Sequence, residues 1–215
     1  RTFPLGLLAE AAEASMDTVL DAIDAGLATS VIEPVPDRDD DSYQFTHALL
    51  VDAVLRTVSP VRQRLIHRRI AELLATHRPT AVSEVASHYA RSGDGPRAYD
   101  WCGRAAERAM SLYELDDATE FRALALAHAS TDDERVATLG ELSRAAELSG
   151  RWADVARWCE LMLASPALDG APARALPVRQ RRLQARVRLG QAAPATEAEC
   201  RLLLAAAESD GSRTD

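Results

Sequence analysis

Lysine is missing from this sequence; all 25 basic residues are arginine. No phosphate-binding loop ending in Gly-Lys-Ser/Thr and no Schiff-base lysine can therefore exist within these 215 residues. A codon-composition bias explains the absence, and the chemical exclusion stands whatever its origin. Cysteine is scarce. Cys102, Cys159 and Cys200 are an odd number with no C-x-x-C pair, so neither a disulfide framework nor a zinc site is expected, and the three read as small buried hydrophobes. Apolar runs are broken by charge well short of the roughly 18 residues a membrane span needs. Arg1 opens no signal-peptide pattern, so the expected location is cytoplasmic, with no membrane partner. Catalytic signatures are missing too. There is no G-x-S-x-G, and the five histidines show no H-E-x-x-H or other ligand spacing. Asp116-Asp117 and Asp132-Asp133 stand at expected helix starts, where carboxylates complement the helix dipole. The sequence thus predicts no catalytic residue, no metal ligand and no chemistry performed by this chain alone.

What is present is 47% hydrophobic residues, enough to bury a sizeable core in one or two domains. Charge is uneven. Residues 1–58 carry eleven acidic groups and three arginines, whereas residues 59–215 carry 22 of each sign. Such asymmetry marks a change of domain. The missing initiator Met and the polar ending SDGSRTD lead to the expectation of a piece from a longer protein, with residues 210–215 a disordered tail.

The first segment, 1–78, reads helix, helix, strand, turn, strand, helix, helix. PLGLLAEAAEAS places Pro4 in a first helical turn, and Val19, Leu20, Ile23 and Leu27 recur at helical intervals after a Ser15 cap. SVIEPV and SYQFT flank the Pro/Asp-rich PDRDDD as a hairpin. From Thr46 the period returns to helical: His47, Leu50, Val51, Val54, Leu55 and Val58 form one apolar stripe, and Ser59-Pro60 ends that helix and starts the next. This order resembles that of a winged-helix domain. Its recognition-position helix, 16–28, holds Asp17, Asp21 and Asp24 and no basic residue. Since cationic side chains supply most of the affinity for phosphate backbones, DNA binding by this segment is disfavoured.

The pattern F-x-H-x-L-x-x-D-A-V, then Ser-Pro-x-R, then L-x-H-R-R-I-A-E-L-L, resembles the winged-helix segment of signal-transducing regulatory ATPases of the STAND class, especially the large ATP-binding LuxR-type transcriptional regulators. Phe45, His47, Leu49, Asp52, Ala53, Val54, Ser59, Pro60, Arg62, His67, Arg68 and Ala71 occupy matching places, while Val51 and Leu55 stand where Arg and Tyr are common. The resemblance covers residues 1–78 and continues more loosely to about 165. It implies ATP and ADP as ligands of a parent protein, an upstream nucleotide-binding domain as partner of the winged helix, and contact of His47 with the β-phosphate of ADP in the resting state. A homo-oligomeric parent is compatible with it. Independently, a histidine in a first helical turn sits where unpaired N–H groups and the dipole favour an anion, and where the neutral imidazole is preferred. The alternative is a helix-start histidine packed under the hairpin. His67, beside Ile66 and Ile70, reads as a core-edge histidine bonded to backbone.

From residue 79 to 209 the chain reads as entirely helical. AVSEVASHYARSGDGPRAYDWCGRAAERAMSLY is a helix, a Gly-bearing turn and a second helix. A second copy places Gly150, Trp158 and Cys159 each 57 residues after Gly93, Trp101 and Cys102, and a third set carries Gly190 and Cys200. DDATEFRALALAHA supplies an extra helix between copies. These hairpins resemble tetratricopeptide repeats, with Ala98, Cys102 and Ala105 at small-residue positions, and an irregular α-solenoid is expected. Trp101, Trp152 and Trp158 read as packing residues. Arg62, Arg64, Arg68 and Arg69 form one basic group, which could face a nucleotide domain. Arg179, Arg182 and Arg186, on one helix face, are candidate partner-binding residues, although nearby acids make a solvated face the plainer reading. The expectation is a mainly α, non-catalytic regulatory chain whose repeats sense an effector or a protein. The alternative is an interaction scaffold with a purely structural winged helix.

Overall fold

A computed structural model describes residues 2–36 and 41–191. The protein is mainly helical with one small three-stranded sheet, and it divides into two compact units, Arg1–Asp94 and Gly95–Asp215.

The first unit opens with β1 (Thr2–Pro4), followed by α1 (Leu5–Ala12) and α2 (Met16–Ala28). Next come β2 (Ile32–Pro34), β3 (Ser42–Phe45), α3 (Ala48–Thr57), α4 (Pro60–His77) and α5 (Val82–Ser92). β3 lies between β1 and β2, antiparallel to both. The sequence did not announce β1. Three residues are too few to display an alternating period, and their pairing partner is some forty residues away, with Phe3 opposite Tyr43. That pairing also corrects the place of Pro4: it is the last strand residue and the N-cap of α1, not part of its first turn. Leu5 N–H then donates to Asp41 C=O at 2.9 Å, closing the strand–helix junction.

The expected Ser15 cap is present, its hydroxyl accepting from Thr18 N–H at 3.2 Å. Val19 and Ile23 on α2 join Ala9 and Ile32 as the buried core, against which Phe3, Leu8, Leu27 and Tyr43 pack. α2 runs close to β2 at Gly26, where a Cβ would stand 2.9 Å from the Ile32 side chain. Any larger residue there would force the Ile32 side chain to shift. A second buried group lies along α4 and α5, which pack together through Ala71, Leu74, Val85, Ala86 and Tyr89. α5, expected to open the repeats after residue 78, therefore belongs to the same compact unit as α4.

The second unit holds α6 (Gly95–Ser111), α7 (Leu115–His128), α8 (Asp132–Leu148), α9 (Trp152–Leu163), a 3₁₀ turn at Pro166–Leu168 and α10 (Pro172–Arg188). Each of these α-helices packs on the next. α7 is the extra helix expected between the copies. Its core gathers Leu139, Leu142, Val155, Trp158, Cys159, Met162 and Leu168, with small Ala146 and Ala185 letting neighbouring helices approach. Gly93, Gly150 and Gly190 follow the ends of α5, α8 and α10 with φ of 78°, 68° and 70°. Left-handed backbone at a helix end is the reason glycine recurs there. Cys102 and Cys159, the 57-residue pair, are both fully buried. Cys200, the second helix of the third set and the 210–215 tail lie outside the described residues.

Candidate functional site

β3 ends at Phe45, and Thr46 fastens the chain to the α2–β2 turn: its hydroxyl donates to Ser30 C=O at 2.8 Å and its N–H to Val31 C=O at 3.1 Å. Helix therefore starts two residues later than the sequence period suggested, because Thr46 completes the sheet edge instead. His47 becomes the N-cap of α3, with extended backbone (φ −138°, ψ 137°), and its side chain makes no capping hydrogen bond. The imidazole is exposed rather than packed under the hairpin. At this helix start the His47 side chain leaves the first N–H groups of α3 uncapped.

Beyond it, the apolar stripe read from the sequence has no matching core. None of the α3 residues is buried; Leu50 and Val51 are half-covered, while Val54 and Leu55 are exposed. Leu49 on α3 is 79% exposed, and Val61 and Leu65 on α4 are 58% and 62% exposed. Gln63 ties the two helices, donating to Leu55 and Val58 C=O at 2.7 and 2.9 Å. Amphipathic periodicity thus exists on α3 and the first turns of α4, yet Leu49, Val54, Leu55, Val61 and Leu65 stay exposed.

The basic group beside this region is divided. Arg68 pairs with Glu72 at 3.3 Å and with Asp94 at 3.6 Å, Arg69 pairs with Glu13, and Arg64 lies over Gly93. Arg62 is exposed. His67 lies at the α4–α5 contact, where its Nδ1 is 3.0 Å from Nδ1 of His88. No local pattern marks this pair, because the two rings come from different helices 21 residues apart.

On α10, Arg179 is exposed and Arg182 and Arg186 are half-buried. Their neighbours are engaged locally: Arg181 meets Glu147 at 3.4 Å, Arg174 meets Asp133 at 2.7 Å, and the Arg188 guanidinium lies 5.3 Å from the Trp152 ring centre. Arg104 and Arg157 likewise lie over Trp101 and Trp158. Asp116 and Asp117 occupy the first turn of α7, and Asp132, Asp133 and Glu134 that of α8. Thr131 and Glu134 form a reciprocal capping box, of which T-x-x-E before a helix is the signature. Hydrogen bonds from Ser130 and Thr131 hold the Glu134 carboxyl below its ordinary value. Burial pushes the Cys102 thiol up to about 11, and burial also raises Cys159 against the opposing Ser143 hydrogen bond. Neither thiol is primed as a nucleophile.

Among the described residues no helix is long and apolar enough to cross a membrane. Comparison of the chain with family models, curated proteins and solved structures finds no match.

Proposed function

We propose that the chain is a non-catalytic regulatory segment of a signal-transducing ATPase of the LuxR-type regulator kind. In this reading a winged-helix module closes over a nucleotide-binding domain of the same protein, and tetratricopeptide-like helical hairpins sense an effector or protein partner. The carrying observation is the combination at α3: an exposed imidazole at a helix start free of side-chain caps, on a helix that buries no residue of its own. A helix start of this kind accepts a phosphate oxygen, and apolar side chains such as Leu49, Val61 and Leu65 accept the surface of a covering domain. Arg62, exposed on the adjoining turn, adds a cation on the same stretch of chain.

Duplex DNA is not the partner proposed for this module. Asp17, Asp21 and Asp24 are all exposed on α2, and a polyanion is repelled there. Regulation follows from linkage: an effector that binds the helical hairpins more tightly in one state shifts the closed–open equilibrium toward that state.

The test is His47→Ala in the full-length protein. ADP dissociation should speed up by about tenfold or more, as expected from losing one hydrogen bond to a charged group, with higher basal activity. Unchanged ADP affinity would remove His47 from the nucleotide site and favour the scaffold reading.

A further inference from the structure

Three chain turns meet at one end of the second unit. Arg151, just before α9, donates to Thr119 Oγ1 at 2.8 Å and lies 3.8 Å from Asp116 in the first turn of α7. Arg188, the last residue of α10, lies over the Trp152 ring at the start of α9. The opposite end is marked by Tyr99 near the start of α6, whose hydroxyl meets Thr138 and Glu134 near the start of α8 at 3.4 and 3.5 Å. The α6–α7 turn, the α8–α9 turn and the close of α10 therefore follow one another along a single edge.

Large apolar side chains are exposed at each of the three places: Leu112 and Tyr113, then Leu148, then Val187 and Leu189. Tyr113 stands out. It is 84% exposed, and its backbone is left-handed with φ of 60°. Gly93, Gly150 and Gly190 take the corresponding place after α5, α8 and α10, where glycine meets no steric penalty. A tyrosine there carries backbone strain and buries almost nothing in its own fold, so the stability of the unit does not account for it.

Charge changes sign along the same edge. Residues 112–117 hold Glu114, Asp116 and Asp117 and no cation, whereas residues 186–189 hold Arg186 and Arg188 and no acid. A partner of uniform charge would be attracted at one end of this edge and repelled at the other. A reversed copy of the edge itself is attracted at both.

We propose that this edge joins two copies of the chain, paired antiparallel about a two-fold axis at the α8–α9 turn. That operation sets the acidic α6–α7 turn of each copy against the arginines closing α10 of the other, and Leu148 against its equivalent. Tyr113 becomes an aromatic anchor facing an arginine-bearing surface, and a guanidinium over an aromatic ring is the arrangement that Trp101, Trp152 and Trp158 already adopt within the unit. The pairing is independent of the nucleotide reading of α3 and requires no nucleotide.

The experiment is sedimentation velocity on the intact chain across the micromolar range, without nucleotide, at low and high salt. A monomer–dimer equilibrium is expected, and it weakens as salt rises. Tyr113→Gly should weaken it by about tenfold or more. Because glycine relieves the left-handed strain, the helical circular-dichroism signal is retained, and the lost dimer is not a damaged fold. Glu114→Arg and Arg188→Glu should each weaken the dimer, and the two together in one chain should restore it, since the reversed charges meet again across the axis. A wild-type chain that stays monomeric throughout, assembly beyond a dimer, a dimer that survives Tyr113→Gly unchanged, or a double variant no better than either single one would overturn the proposal.

Discussion

Cys102 and Cys159 are each fully buried in the second unit, and burial disfavours the thiolate that thiol reagents attack. In a Cys200→Ser variant at mildly alkaline pH, both remaining thiols should react only as fast as the protein opens. Denaturant should accelerate them together. Rapid reaction of either in native buffer would show that its helix pair is loose. Cys102 and Cys159 were legible in the sequence as packing residues, because a small side chain recurs at the same place in two similar helical hairpins. The histidines were less legible. His47 was expected within the first helical turn and is instead the N-cap, because Thr46 bonds the α2–β2 turn before the helix begins. His67 was expected to bond backbone, and the Nδ1 of His88 is what the tertiary packing places against it.

At the scale of elements, the helices of both units follow from periodicity and caps, whereas β1 does not. Its pairing with β3 is a long-range contact that no local pattern encodes. The Thr131–Glu134 capping box is the converse case, a local signal that fixes where α8 begins. Thr131→Ala should lower stability by about 1 kcal/mol in urea unfolding. Glu134 adds a pH dependence. Its folded carboxyl titrates below the unfolded one, so its stabilisation is present above the ordinary glutamate range and is lost as pH falls through the folded value. Wild type and Glu134→Gln should therefore differ near neutrality and converge in strong acid; a constant difference across that range would assign the effect to something other than the carboxylate's charge.

For the whole molecule, the informative mismatch is between pattern and burial. α3 carries a clean apolar stripe, yet none of its residues is buried within its own unit. Amphipathicity marks a face and leaves what covers it unspecified, so the sequence reveals the helix and its stripe alone. Val61→Glu combined with Leu65→Glu should leave the helical circular-dichroism signal intact and change stability by no more than about 0.5 kcal/mol. Binding of a hydrophobic dye should fall. Loss of helical signal would mean those side chains are packed. The division after Asp94 was not legible either. A glycine turn between two helices looks the same in sequence whether those helices belong to one compact unit or to two.

One arrangement has a practical optical consequence. Trp101, Trp152 and Trp158 all fall within Gly95–Asp215, each with a guanidinium over its ring. Indole emission therefore arises from the second unit alone, whereas Tyr43 and Tyr89 are the intrinsic fluorophores of the first ninety-four residues.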